Sequence, residues 1–314
     1  MNKLLLSLTL CVASLCNAQT WPSKPIRLLV AYPAGGISDN VARLLAEKLA
    51  LQLATPVLVE NRAGANGSIG MDAAAKAPPD GYTLVFSAVT PLTSSPHLSK
   101  SPFDPMRDIT PVASVMYSPV LLLATPAIKV KDFDDLLAIA RAKPNAVRWS
   151  TSGLSSLGHI MLSQLAGSAK VSITHIPYKG GGQQITDALG GQFEILSVNA
   201  STAVMQHIKA GKLQALAVGA PSRMEALPST PTLAELGFPS SNLMSSFGIF
   251  APAGIPPHVL ARLNLEINKA IALPDVRARL KDSDNVASMG TSADFAKRIA
   301  QEFENNARII QLIN

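Results

Sequence analysis

The sequence predicts an α/β protein built as two units joined by a double crossing of the chain. Three observations carry this reading. Strand-like apolar runs alternate with helix-like runs from residue 26 onward, and the alternation begins afresh at residue 119. A Pro- and Ser-rich stretch, "PSRMEALPSTPTLAELGFPSSN", then separates the second series from one more strand-like run and a helical tail. Repeated strand and helix over such lengths argues for parallel sheets covered by helices on both faces.

The first eighteen residues read as an export signal. Lys3 supplies the positive start, residues 4–15 an apolar run, and Ala18 a small residue for cleavage. The run is shorter than the roughly 20 residues a membrane span needs. Leu10 precedes Cys11 and Leu15 precedes Cys16, where a lipoprotein would carry a small residue, so soluble export is expected rather than a lipid anchor. Both cysteines fall in this segment, so residues 19–314 cannot draw stability from disulfides or thiolate–metal bonds. That length suits two domains of about 100–200 residues each.

The first series opens with "IRLLVAY" (residues 26–32). A helix follows over about 38–53, where Val41, Leu44, Leu45 and Leu49 share one face at helical spacing. "PVLVEN" (56–61) is a second strand, an alanine-rich helix occupies 71–76, and "YTLVFS" (82–87) is a third strand. The second series runs "PVLLLAT" (119–125), a helix over 133–142, "AVRWST" (146–151), a helix from about Ser156, "SITHI" (172–176), a helix near 183–189, then "FEILSV" and "LQALAV". "SFGIFAP" (246–252) resumes strand character, and three helices begin near Pro257, Pro274 and Ser292. With the second series inserted into the first unit, residues 19–124 and 245–314 form one domain and 125–244 the other. Two crossings between them would make a hinge.

Charge and motifs exclude several functions. The 27 Lys and Arg against 21 Asp and Glu give +6, one less without Lys3, spread along the chain with only 5% aromatics. A basic, stacking surface for nucleic acid is therefore not expected. Charges or prolines interrupt every later apolar stretch. There is no HExxH and no CxxC, and His97, His159, His175, His207 and His258 lack ligand spacing, so neither metal nor cofactor is expected. "GLSSLG" misses the G-x-S-x-G nucleophile elbow by one position. A hydrolase using Ser155 or Ser156 is the enzymatic alternative, and no enzyme is expected. Asn66-Gly67-Ser68 matches a glycosylation acceptor pattern.

Four loops could hold a ligand, each leaving a strand at its carboxyl end, where open α/β sheets bind. "VAYPAGGISDN" lacks the lysine of a Walker loop and the three spaced glycines of a dinucleotide turn. A helix start still offers unpaired amides and partial positive charge, and Gly35 and Gly36 would let an anion approach the backbone. A merely tight turn is the alternative. Ser38 is an N-cap by residue type, and Asp39 would already neutralise the helix end. "STSGLSSLGHIMLSQLAG" gathers Ser152, Ser155 and Ser156 at another helix start, with His159 one turn in, either as a ligand contact or as a satisfied histidine. "IPYKGGGQQITDALGG" offers Lys179, either as a binding charge or as a solvated lysine, beside three glycines, and "VNAST" offers Asn199 and Ser201.

Taken together, "WPSKPIRLLVAYPAGGISDNVARLLAEKL", "VLVENRAGANGSIGMDAAAKAPPDGYTLVFS", "HIPYKGGGQQITDALGGQFE", "IKAGKLQALAV", "LPSTPTLAELGFP" and "FAPAGIP" resemble the Bug (TctC) family of substrate-binding proteins of tripartite tricarboxylate transporters. The resemblance covers essentially the whole chain beyond residue 18. It implies a type II periplasmic-binding-protein fold: two α/β domains, crossing strands as a hinge, and a central cleft closing on a small organic carboxylate. Dicarboxylates, acidic amino acids and aromatic acids are the implied ligands. Backbone amides and hydroxyls of the loops would grip one carboxylate, with water linking the first glycine turn to it. Asp39 would then orient water or meet a ligand ammonium.

Carried over by position, Tyr32, Ala34, Gly35, Gly36, Ser38 and Asp39 match the first turn, with Ser87 and Thr90 at a strand end. Ser152, Ser155 and Ser156 before His159 match in type, and Tyr178, Lys179 and Gly180 match closely. "SVNAST", with Asn199 and Ser201, and "LMSSFGIF" depart from common patterns. The implied protein is a monomeric periplasmic receptor serving membrane transporter subunits; presentation of the ligand to a membrane sensor kinase is the alternative.

Overall fold

The computed structural model describes residues 21–311. The expected export signal, residues 1–18, lies outside the described residues. Among those described, no helix is long and apolar enough to cross a membrane.

The first lobe begins with β1 (Ile26–Val30), α1 (Ile37–Leu53), β2 (Val57–Asn61), α2 (Ser68–Ala75) and β3 (Thr83–Ala88). β1 lies between β2 and β3, parallel to both. α1 buries Val41, Leu45, Leu49 and Leu53, the stripe its helical spacing dictates. Two single-turn helices, α3 (Thr90–Thr93) and α4 (Ser95–Leu98), lead to β4 (Ile109–Ala124).

β4 is sixteen residues long and belongs to both lobes. The expected strand at 119–125 is only its second half. Register shifts between Pro111 and Ala113 and between Ser114 and Met116 mark bulges, which accommodate Pro111 and break the alternation a sequence reading depends on. Its pairing changes partners between Pro119 and Val120, whereas the expected domain boundary after residue 124 falls at the strand's far end.

The second lobe holds α5 (Phe133–Ala142), β5 (Arg148–Thr151), α6 (Leu157–Ala169), β6 (Thr174–Pro177), α7 (Gly181–Leu189), β7 (Ile195–Asn199), α8 (Thr202–Lys209) and β8 (Gln214–Gly219). α8 has no counterpart among the expected elements. Val120, Leu122 and Ala124 of β4 face a core with Phe133, Trp149 and Leu165, while Leu121 and Leu123 face Phe193, Leu196 and Val204 on the other side. Burial on both faces explains why "VLLLA" reads as an unbroken apolar run.

The chain returns through irregular residues 220–243 to β9 (Met244–Pro252), then α9 (Pro257–Ala272), α10 (Pro274–Asp282), β10 (Val286–Ala287) and α11 (Ser292–Gln311). β9 inserts between β3 and β4, antiparallel to both, and β4 runs antiparallel to β7 and β8. The sheets are thus mixed, not parallel as expected. A strand that leaves one lobe beside a strand that comes back must point the opposite way. α9 packs with α1 on one face of the first-lobe sheet, and α11 with α2 on the other, where Phe295 occupies the space that a side chain at Gly248 would need.

Candidate ligand-binding site

Strands β1, β5, β6 and β7 all end at the seam between the lobes, and the helix after each starts there. Their starts converge on one cavity of about 100 Å³: Gly35 to Ser38 at α1, Ser156 to Gly158 at α6, Gly180 and Gly181 at α7, and Ser201 and Ala203 at α8. Each start carries partial positive charge on unpaired amides. α1 and α7 have glycine N-caps, Gly36 and Gly180, so among the described residues no side-chain cap competes with a ligand for their first amides. α6 and α8 are capped by the hydroxyls of Ser156 and Ser201, which accept from the His159 and Val204 amides at 3.3 Å.

No Asp, Glu, Lys, Arg or His is among the residues lining the cavity. Attraction for an anion there must therefore come from backbone amides, and at α1 the Asp39 carboxylate in the first turn offsets part of it. Hydroxyls and amides of Tyr32, Thr90, Ser152, Ser197, Ser245, Asn40, Asn66 and Asn199 supply polar contacts, and Ile37, Val120, Leu157, Ile185, Val198 and Phe247 supply apolar wall. Burial pushes the Tyr32 phenol up to about 12, so at neutral pH it remains a neutral donor.

Of the residues expected from sequence, Tyr32, Gly35, Gly36, Ser38, Thr90, Ser152, Ser156, Gly180, Asn199 and Ser201 line this cavity. Ser38 is the second residue of α1, not its cap, because the helix begins at Ile37. Asn199 donates to the Ser118 and Pro119 carbonyls at 3.3 and 3.5 Å, tying the cavity wall to the crossing strand.

The other expected positions lie elsewhere. Asp39 is 4% exposed and folded back: its carboxylate accepts from the Gly35 amide at 3.0 Å, Asn61 at 2.9 Å and Arg43 at 3.0 Å. Burial opposes its ionisation, but hydrogen bonds from Arg43, Gly35 and Asn61 hold it below the ordinary carboxylate range. It shapes the glycine turn, and with a second Arg43 nitrogen 3.0 Å from Oδ1 both carboxylate oxygens are engaged within the first lobe. Ala34 is exposed at the rim. Ser87 is fully buried in β3. Ser155 turns its amide to His159 Nδ1 at 3.3 Å, and the His159 ring stacks on His175 at 4.2 Å, bracing the serine loop from outside the cavity. The Tyr178 hydroxyl donates to Asp187 at 2.7 Å, and Lys179 is exposed to solvent.

Among the described residues no serine hydroxyl contacts an imidazole nitrogen, so the arrangement that would activate Ser155 or Ser156 as a nucleophile is not assembled. Nor does any group of three His, Cys, Asp or Glu there have metal-binding geometry.

Sequence reasoning missed Asn66. Its side chain is 5% exposed and lines the cavity, donating to Thr90 Oγ1 at 3.2 Å and, across the seam, to the Ser155 carbonyl at 3.0 Å. The glycosylation-like pattern around it is thus internal. The usable signal was "GANG", a run in which glycine and asparagine both tolerate positive φ.

Two α/β lobes on a double-stranded crossing, with helix starts from both facing a small neutral cavity, define a two-lobed solute-binding protein. The chain belongs to the tripartite tricarboxylate transporter receptor family (TctC, Bug), whose profile matches residues 41–314. It is 38% identical to protein BugT of Bordetella pertussis over 262 residues, 83% of this chain and 80% of that one. It superimposes on the periplasmic binding protein BugD with a TM-score of 0.88 at 27% identity, over 93% of this chain and 98% of that one. MatC from Rhodopseudomonas palustris with bound malate matches with a TM-score of 0.87 at 27% identity, over 92% and 99%. The fold is therefore the periplasmic-binding-protein type, and the chain is a solute-binding protein of this family.

Proposed function

We propose that the protein captures a small aliphatic dicarboxylate in this cleft by lobe closure and delivers it to the membrane subunits of a tripartite tricarboxylate transporter. One observation carries the reading: four helix starts meet at one cavity whose lining holds no charged side chain. A carboxylate gains charge-assisted hydrogen bonds from uncapped amides, about 1.5–3 kcal/mol each, and an ammonium would find no carboxylate among the lining residues. The apolar wall between polar groups suits a short methylene body, and the malate held by MatC is of that class. Family membership supports the transporter as destination.

Closure removes water, which strengthens each contact, and the ligand stabilises the closed form only by its preference for it. Chemical conversion has no part in this reading. A thermal-shift panel of three- to six-carbon dicarboxylates, their hydroxy acids, aromatic acids and amines tests it. The expected result is one strong aliphatic stabiliser, worth about 2.7 kcal/mol at one hundred times its dissociation constant. No shift with any carboxylate, or a stronger one with amines, overturns it.

A further inference from the structure

The loop between β2 and α2 carries four consecutive positive φ values: Gly64 at 134°, Ala65 at 45°, Asn66 at 52° and Gly67 at 93°. Such a run persists only where its surroundings hold it. Here Gly67 packs beneath Tyr32, leaving 3.1 Å between an added Cβ and the phenol oxygen, and Asn66 is pinned by both hydrogens of its amide. One goes to Thr90 Oγ1 of its own lobe. The other goes to the Ser155 carbonyl of the second lobe, and Ser155 is itself held at φ 62°.

The acceptor on each side belongs to the ligand's walls. Thr90 lines the cavity from the first lobe, and Ser155 sits in the loop whose neighbours Ser152 and Ser156 line it from the second. Other approaches between the lobes here are steric: a Cβ at Gly180 would lie 2.5 Å from Pro33 Cδ, one at Gly182 3.7 Å from the Ala34 carbonyl oxygen, and one at Gly153 3.8 Å from Asn66. Separating the lobes breaks the Asn66–Ser155 bond and returns both groups to water.

We propose that Asn66 is the latch of the closed form: a positioning residue whose amide joins the two ligand walls and so couples capture to closure. This rests on the cleft being the carboxylate site. It adds that part of the closed state's stability resides in the protein, present before any ligand arrives.

Asn66→Gly tests this, because glycine keeps the positive φ without strain while the side chain that bridges the lobes is lost. Residues 19–314 contain no cysteine, so dyes placed through Leu51→Cys in the first lobe and Lys143→Cys in the second, both exposed, report lobe separation by single-molecule energy transfer. Relative to the otherwise identical labelled protein, Asn66→Gly is expected to lower the ligand-free closed fraction several-fold. With malate as probe it should speed dissociation about tenfold and leave an open population at saturation. Equal closed fractions with and without the amide in ligand-free protein overturn the latch, whatever malate does. Weaker malate binding with full closure at saturation also overturns it, by making Asn66 a ligand contact only. Failure of malate and every other carboxylate to close the unsubstituted protein defeats the carboxylate reading instead, and the ligand-free comparison still decides the latch.

Discussion

At the residue scale, small side chains let two lobes meet closely. Gly180 has φ 152° and touches Pro33 across the seam. Gly180→Ala adds a methyl that works as a wedge there, so carboxylate affinity is expected to fall about tenfold, while the ligand-free unfolding midpoint drops by only roughly 2–4 °C. Calorimetric titration beside a melting curve separates the two, and unchanged affinity would remove the wedge. The glycines were visible in the sequence because turn chemistry is local. Asp39 was visible too, but its role was not: its partner Asn61 lies twenty-two residues away and meets it only through the pairing of β2 with β1. Asn66 needed more still, since its meaning comes from Ser155, eighty-nine positions on.

At the element scale, the serine loop before α6 stands on two stacked imidazoles, with His175 Nε2 and Thr151 Oγ1 2.7 Å apart. Burial lowers the pKa of both rings, and the neighbouring His159 lowers His175 further, to about 4. A histidine whose folded pKa is depressed gives full stability above the ordinary value of 6.5. That stability is lost as pH falls toward 4, because the unfolded chain takes up the proton first. The slope should approach about 1.4 kcal/mol per pH unit for His175 in that window. His175→Gln should flatten the decline, and denaturant melts at pH 7, 6 and 5 check it; an equally steep decline in both proteins would exclude the pair. Helices opening at Pro257, Pro274 and Ser292 were legible because proline and serine mark helix starts. α8 escaped notice because its eight residues bury little beyond Val204, and the first half of β4 because its bulges scramble the period of two.

At the scale of the whole molecule, the inserted second series and the returning tail were legible as a break in composition near residue 221. The antiparallel crossing was not, since direction in a sheet depends on how the chain re-enters it. The neutral cavity has a measurable consequence. A site built from exposed Arg or Lys loses affinity in salt, whereas buried amides at helix starts are little screened. Raising sodium chloride from 20 to 500 mM, as a roughly 25-fold change in ionic strength, should therefore alter the dissociation constant by less than about threefold. A tenfold weakening would mean that a mobile cation such as the exposed Lys179 reaches the ligand.

Cations on flexible stems keep hold of an acid whichever way a jaw swings. Amides fixed at the roots of helices cannot follow their guest: once α1 parts from α6, α7 and α8, each is left with a fraction of a grip. In the proposed receptor, release then needs no competitor for the amides, only a bend of β4 where its pairing changes between Pro119 and Val120.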